Sequence, residues 1–245
     1  MNHIELFTGD VLDNLSKIES NSIDLVVTSP PYNKAGHEGK TRKSHKTDSW
    51  SKRNIEYDLH DDFMPESEYQ LWQIEVLNEL HRVLKDGGSC FYNHKNRVVN
   101  FKTTFPTTWI EKTDFNIRQE IIWDRKSTPS VNSIRFYPTT EKIYWLFKGK
   151  KPKYFNKEMA IHKEVWTIPP ARSPHPAPMP LQVAEICVLA CSKPNDIILD
   201  PFMGSGTVGV VSVSNKRRFR GIEISPFWST YAAKNIEAVL PISIS

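Results

Sequence analysis

The stretch LDPFMGSGT, Leu199 to Thr207, decides the fold. Ahead of it, DIILD (Asp196 to Asp200) is a short apolar run that ends in an acid. A turn with Gly204 and Gly206 follows, and then residues with helical spacing from about Gly206. A strand that ends in an acid, a glycine turn and a new helix make a ligand cradle. Glycine lets the backbone approach a ligand closely, and the helix N-terminus attracts an anion. The next strand, RFRGIEI (Arg218 to Ile224), carries Glu223 about 20 residues on, where an acid suits ribose hydroxyls. A nicotinamide site competes at this point, because Gly204, Gly206 and Gly209 match GxGxxG. A P-loop does not compete, since no Gly-Lys-Ser/Thr is present.

Working outward, IDLVVTS (Ile23 to Ser29) is a β-branched apolar run, as expected of a strand buried on both faces. Pro30 and Pro31 end it, since neither can donate a backbone hydrogen bond. Further strands are expected at His3–Thr8, Ser89–His94, Asn116–Trp123 and Lys142–Phe147. Helices are expected at Val11–Ile18, Pro65–Leu84, Leu181–Cys191 and Trp228–Leu240, with Gly87 and Gly88 stopping the second. Strands alternating with helices predict an α/β protein with a doubly wound, mostly parallel sheet of about seven strands. No linker divides the chain, so residues 1–245 read as a single domain. It carries a basic loop insertion at about 33–60 and an irregular Pro- and Lys-rich segment at about 148–180.

Composition sets the class. Hydrophobic residues at 39% and charged residues at 24% suit a globular protein, and no apolar run approaches the ~18 residues of a membrane span. The N-terminus does not read as a signal peptide. Cys90, Cys187 and Cys191 cannot build a disulfide framework, which fits a cytoplasmic setting. Cys187 and Cys191 read as small apolar residues on a core helix face, and no metal site is expected. His94 is expected to be a surface or hydrogen-bonded residue, and Trp123 a core residue.

The net charge of +4 is carried by one segment. Lys34, Lys40, Arg42, Lys43, Lys46, Lys52 and Arg53 face only Glu38 and Asp48 there, and the remainder of the chain is close to neutral. Such a segment suggests a polyanion contact, against the plainer reading of a solvated loop. It is expected to be mobile alone and ordered on nucleic acid.

The second motif is TSPPY, Thr28 to Tyr32, at the carboxyl end of the buried strand, where open α/β sheets bind ligands. It suits one particular chemistry. An exocyclic amino nitrogen of a base is a poor nucleophile, because its lone pair is delocalised into the ring. A site that accepts both amino hydrogens lets the nitrogen turn tetrahedral. The Ser29 hydroxyl and the Pro30 carbonyl can be those acceptors, Pro31 stiffens the turn, and Tyr32 offers a face for an extruded base.

TSPPY near the start and DPFMGSGT near the end together resemble the beta class of DNA amino-methyltransferases of restriction-modification systems. GDVL (Gly9 to Leu12), HRVLKDGG (His81 to Gly88), IIWDRK (Ile121 to Lys126) and HPAPMPLQVAEI (His175 to Ile186) resemble further family elements, with Asp86 in place of the usual proline. The last of these resembles the segment that closes over the cofactor. The resemblance implies a Rossmann-like class I methyltransferase fold with circularly permuted motif order, and S-adenosylmethionine as cofactor. It implies that Asp200, Pro201, Phe202, Gly204, Ser205, Gly206 and Thr207 hold the methionine part. Thr28 would line the same site, Glu223 would hold the ribose, and Asp10 would lie near the adenine. It implies double-stranded DNA as substrate, with a cognate restriction endonuclease and a homodimer as candidate partners. Ser29, where relatives carry Asp, leans toward cytosine N4. Adenine N6 and an inactive nucleic-acid-binding homologue are the alternatives. The region after Phe147, where the family often keeps its target-recognition domain, is short, so DNA reading is expected to fall to the loop after Tyr32.

Overall fold

The computed structural model describes residues 4–33, 64–99, 101–128, 133 and 135–240. The basic segment from Lys34 to Arg53 lies outside the described residues.

In chain order, β1 (Ile4–Thr8) and α1 (Val11–Leu15) precede β2 (Ile23–Thr28). Then come α2 (Glu66–Val83), β3 (Leu84–His94), β4 (Arg97–Val99), β5 (Lys102–Thr104) and α3 (Thr107–Ile110). They are followed by β6 (Asn116–Asp124), β7 (Thr140–Phe147), a 3-10 turn (Lys157–Ile161) and β8 (Val165–Thr167). The chain closes with α4 (Leu181–Cys191), β9 (Ile197–Asp200), α5 (Thr207–Ser214), β10 (Arg218–Glu223) and α6 (Pro226–Glu237).

Eight strands form one sheet in the order β1-β10-β9-β2-β3-β7-β6-β8. All its neighbours pair in parallel except across β7, which runs against both β3 and β6. This is the expected doubly wound sheet, with β8 as an added short edge strand. β4 and β5 form a separate hairpin.

The central strands are apolar because both faces are covered. Leu25, Val26 and Val27 of β2 are fully buried. Leu25 and Val27 face the side packed by α4, α5 and α6, together with Val183, Val188, Val208 and Ile236. Val26 faces the side packed by α1 and α2, together with Leu15, Val76, Leu77 and Leu80. Each apolar side chain withdrawn from water in this way contributes about 1.5–3 kcal/mol.

Three expectations need correction. Gly87 and Gly88 do not stop α2, which ends at Val83. They lie inside β3, where Gly87 N–H donates to the Lys148 carbonyl and Lys148 N–H to the Gly88 carbonyl, each at 3.0 Å. Pro65 stands just before the first turn of α2, at its N-cap. The segment after Phe147 is not wholly irregular, because β8 pairs with β6 and its Trp166 is buried, with the indole N–H donating to the Lys163 carbonyl at 2.7 Å. Cys187 and Cys191 are buried in the core, and Trp123 is a core residue whose indole N–H donates to the Ile168 carbonyl at 2.7 Å.

Candidate active site

The chain leaves β9 toward β10 on one side and leaves β2 toward β3 on the other. A crevice therefore opens at the carboxyl ends of β9 and β2, the place where such sheets take ligands. Four of the expected site residues come from the carboxyl ends of adjacent strands: Asp10 just after β1, Glu223 of β10, Asp200 of β9 and Thr28 of β2.

Thr28 and Asp200 are both buried, and the Thr28 hydroxyl donates to Asp200 Oδ1 at 3.0 Å. Phe202 N–H donates to the same oxygen at 3.1 Å. Burial pushes the Asp200 carboxyl up to about 7, these two hydrogen bonds oppose the rise, and the charge of Glu223 adds to it. Glu223 is half-buried and is raised as well, chiefly by burial. Its Oε2 accepts from Gly204 N–H at 2.9 Å and its Oε1 from Ser225 N–H at 3.0 Å, so it shapes the glycine turn. Asp10 is exposed and caps α1, accepting from Leu12 N–H at 2.8 Å and Asp13 N–H at 3.1 Å.

The glycine turn is tight on both sides. Gly204 has φ +49° and would place a Cβ 2.8 Å from His175 Nε2. Gly206 has φ +82° and would place one 2.9 Å from the Ala232 Cβ. Only glycine satisfies both the left-handed backbone and the close approach. Ser205 is buried and its carbonyl accepts from Asn235 Nδ2 at 2.9 Å, Pro201 is buried, and the Phe202 ring stands 5.7 Å from Trp72. α5 begins at Thr207 with no side-chain cap, so its first N–H groups point at the turn.

The TSPPY turn lies beside this cradle. Ser29 and Pro31 are half-buried, and Pro30 and Tyr32 are buried. The Ser29 and Tyr32 hydroxyls are 2.9 Å apart. The Tyr32 hydroxyl donates to Glu141 Oε2 at 3.0 Å, and Arg125 pairs with Glu141 Oε1 at 2.6 Å. Burial, then the Glu141 charge, pushes the Tyr32 phenol well above its ordinary range, so it keeps its proton. Its ring is not a bare platform. His94 lies 4.6 Å from it, centroid to centroid, and the Lys95 ammonium 5.6 Å from its centre.

Behind the turn, the Tyr69 hydroxyl donates to the Pro31 carbonyl at 2.8 Å and meets His94 Nε2 at 2.7 Å. His94 is fully buried, and burial lowers it to about 3, so the imidazole stays neutral. Its Nδ1 faces the Lys95 carbonyl at 2.8 Å and must carry the proton, which makes Nε2 an acceptor that shares the single Tyr69 hydroxyl proton with the Pro31 carbonyl.

Asn93, Glu141, Arg125 and Tyr69 were not singled out in the sequence, although Arg125 falls within the IIWDRK element. Tyr69 reaches the turn from α2, and Asn93 and Glu141 reach it through strand register. Thr28 pairs with Tyr92, which puts Asn93 beside Ser29. Asn93 pairs with Ile143, and Glu141 is two residues further along the same face.

A mostly parallel sheet with one reversed strand, an acid-ended strand feeding a glycine turn, and a Ser-Pro-Pro-Tyr turn on the adjoining strand define a Rossmann-like methyltransferase. The chain belongs to the DNA methylase family of N6 and N4 enzymes, whose profile matches residues 23–234. It is 29% identical to the type II methyltransferase M.HinfI of Haemophilus influenzae over 96% of this chain and 69% of that protein. It is 29% identical to the DNA adenine methyltransferase YhdJ of Escherichia coli K12 over 89% of this chain and 77% of that protein. The solved cytosine-N4-specific PvuII DNA methyltransferase superposes with a TM-score of 0.75 at 21% identity, over 100% of this chain and 90% of that one.

The family's methyl donor, S-adenosylmethionine, fits the groups present. A buried carboxylate raised to about 7 suits a cationic amino group, the glycine turn leaves room for a chain against the backbone, and the uncapped start of α5 suits a carboxylate.

Proposed function

We propose that this protein methylates the exocyclic amino group of a base extruded from double-stranded DNA, with cytosine N4 as the acceptor. The observation that carries the reading is the placement of Ser29 one residue after Thr28, whose hydroxyl is bonded to Asp200 at the cofactor cradle.

Asp200, the turn from Gly204 to Gly206 and the start of α5 would hold the methionine part of the cofactor, and Glu223 and Asp10 the ribose and adenine side. Bound S-adenosylmethionine supplies an electrophilic methyl group. Ser29 Oγ and the Pro30 carbonyl accept the two amino hydrogens and draw the nitrogen lone pair out of conjugation. The freed lone pair would be the nucleophile toward the methyl group that the cofactor would supply as its sulfonium becomes a thioether, and the surplus proton on nitrogen would leave to water. Tyr69 holds the Pro31 carbonyl and so fixes the turn. Burial lifts the Cys90 thiol far out of the nucleophilic range, which supports direct transfer with no covalent enzyme–base bond.

Lys34, Lys40, Arg42, Lys43, Lys46, Lys52 and Arg53 follow the catalytic turn in sequence and are assigned to phosphate contacts on DNA. The type II relatives make a cognate restriction endonuclease a candidate partner. Cytosine is favoured by Ser29, and adenine by the likeness to YhdJ. Incubation with S-adenosylmethionine and mixed-sequence DNA, digestion to nucleosides and mass spectrometry decides between them. N4-methyldeoxycytidine is expected. Methyladenosine alone would change the base and keep the mechanism, and no methylated nucleoside would reject the activity.

A further inference from the structure

Glu141 and Arg125 lie in neither motif, yet they end a chain of hydrogen bonds that begins at Ser29. The geometry fixes the direction of every proton in it. Glu141 Oε2 stands 3.0 Å from the Tyr32 oxygen. Arg125 forms an ion pair with the other carboxylate oxygen at 2.6 Å, and a carboxylate in such a pair has only acceptors to offer through Oε2. Two oxygens at that distance need a proton between them, and only Tyr32 has one to give. The Tyr32 hydroxyl then has no proton left for Ser29, 2.9 Å away. Ser29 must donate to Tyr32. Asn93 Nδ2 fits the same pattern as a donor to the Tyr32 oxygen at 2.9 Å, Glu141 Oε2 at 3.1 Å and Ser29 Oγ at 3.3 Å.

The consequence falls on Ser29. A hydroxyl has one proton and two lone pairs. With its proton turned inward to Tyr32, the half-buried Ser29 turns a lone pair to the crevice. Reversing the chain would aim the Tyr32 proton at Ser29 and turn the Ser29 proton outward. A base amino group would then meet a donor where it needs an acceptor.

We propose that Glu141, held by Arg125, is a positioning residue that sets the direction of the Ser29 hydroxyl through Tyr32 and so makes it an acceptor for the target amino group. This rests on the reading of Ser29 given above. The chain carries no net proton and acts by orientation alone. Tyr32, Asn93 and Glu141 are buried, so the direction is fixed before substrate arrives and costs little reorganisation in the reaction.

Glu141→Gln tests it. Arg125 draws the new amide oxygen toward itself, which leaves the amide N–H₂ facing Tyr32 and reverses the chain. The expected result is a fall in kcat of about tenfold or more. KM for DNA and affinity for S-adenosylmethionine should stay within about twofold, with the unfolding temperature confirming a folded protein. The decisive arm is a double-mutant cycle in single-turnover reactions of the full chain. Because Glu141 acts through Ser29, Glu141→Gln should cost nothing further in a Ser29→Ala background. Equal losses in both backgrounds, or an unchanged kcat in the single variant, would overturn the role of Glu141 and leave that of Ser29 standing. Full turnover in Ser29→Ala alone would instead reject the acceptor role of Ser29, and this proposal with it. If Glu141→Gln does not fold, Tyr32→Phe cuts the same chain: a kcat loss absent from the Ser29→Ala background supports the proposal, and unchanged turnover overturns it.

Discussion

Thr28 and Asp200, 172 residues apart in sequence, share a 3.0 Å hydrogen bond at the ends of two adjacent parallel strands. The bond joins the strand that carries the catalytic turn to the strand that feeds the cofactor turn. Thr28→Val keeps the shape and removes the donor. A hydrogen bond to a charged group is worth about 1.5–3 kcal/mol, so affinity for S-adenosylmethionine should fall by about 10- to 100-fold. Calorimetric titration measures it, and an unchanged affinity would deny that Asp200 must be ionised to bind.

The raised Asp200 carboxyl makes stability and binding depend on pH. Its pKa lies near 7 in the folded protein, above the ordinary value near 3.8. Between about pH 4 and pH 7 the folded state keeps a proton that the unfolded state loses. Stability contributed by this group therefore falls as pH rises through that window, by at most about 4 kcal/mol. Asp200→Asn should remove the slope and be more stable than the parent near pH 8, with the difference vanishing near pH 4. Cofactor affinity of the parent should rise between about pH 6 and pH 8, because only the ionised carboxylate attracts a cation, and should be flat in the variant. Urea unfolding and calorimetry across that range give both answers.

Ser29→Ala and Asp200→Ala should fail in different ways. The first removes an acceptor from the amino group and should lower kcat by about tenfold or more with cofactor affinity kept. The second should weaken cofactor binding first. Steady-state kinetics with separate binding measurements distinguish them, and the same pattern in both variants would count against the division of roles.

Gly204→Ala puts a methyl group 2.8 Å from His175 Nε2, on a backbone at φ +49°. The His175 ring has little room to retreat, since it packs 4.6 Å from Trp228. Left-handed strain alone costs about 1–2 kcal/mol. The expected outcome is an unfolding temperature lower by about 2–6 °C and a cofactor affinity reduced at least tenfold. A thermal scan with and without S-adenosylmethionine reads both, and retention of both would show that the turn has slack.

On the proposed function, the basic segment should contact DNA and not the cofactor. If four of its cations contact phosphates, their replacement in Arg42, Lys43, Lys46 and Arg53→Ala should flatten the slope of log affinity against log salt by about 3.6. Cofactor affinity should not change. An unaltered salt slope would leave the segment as a solvated loop.

Much of this architecture is local and therefore legible in the sequence. The β-branched run from Ile23 to Thr28 can be satisfied only inside a covered sheet, and the structure buries it there. The glycines at 204 and 206 announce a turn that only glycine can make, and Pro30 and Pro31 end a strand wherever they occur. α4 runs from Leu181 to Cys191, as its spacing requires. Gly87 and Gly88 mislead because a glycine pair reads as a stop, whereas here the chain is already extended from Leu84.

What tertiary structure alone decides is which distant side chains meet, and in which direction their protons point. Nothing near Glu141 marks it as a partner of Tyr32, 109 residues earlier. The meeting follows from pairing Asn93 with Ile143 across β3 and β7, and from Glu141 sharing the face of Ile143. Had β7 slipped by one residue, Lys142 would face the turn instead, because side chains alternate along a strand. The sequence by itself settles the two turns and the strands that hold them, since those depend on neighbours along the chain. The link from Ser29 through Tyr32 to Glu141 depends on a carboxylate reached across β3 on β7, and only packing sets that register.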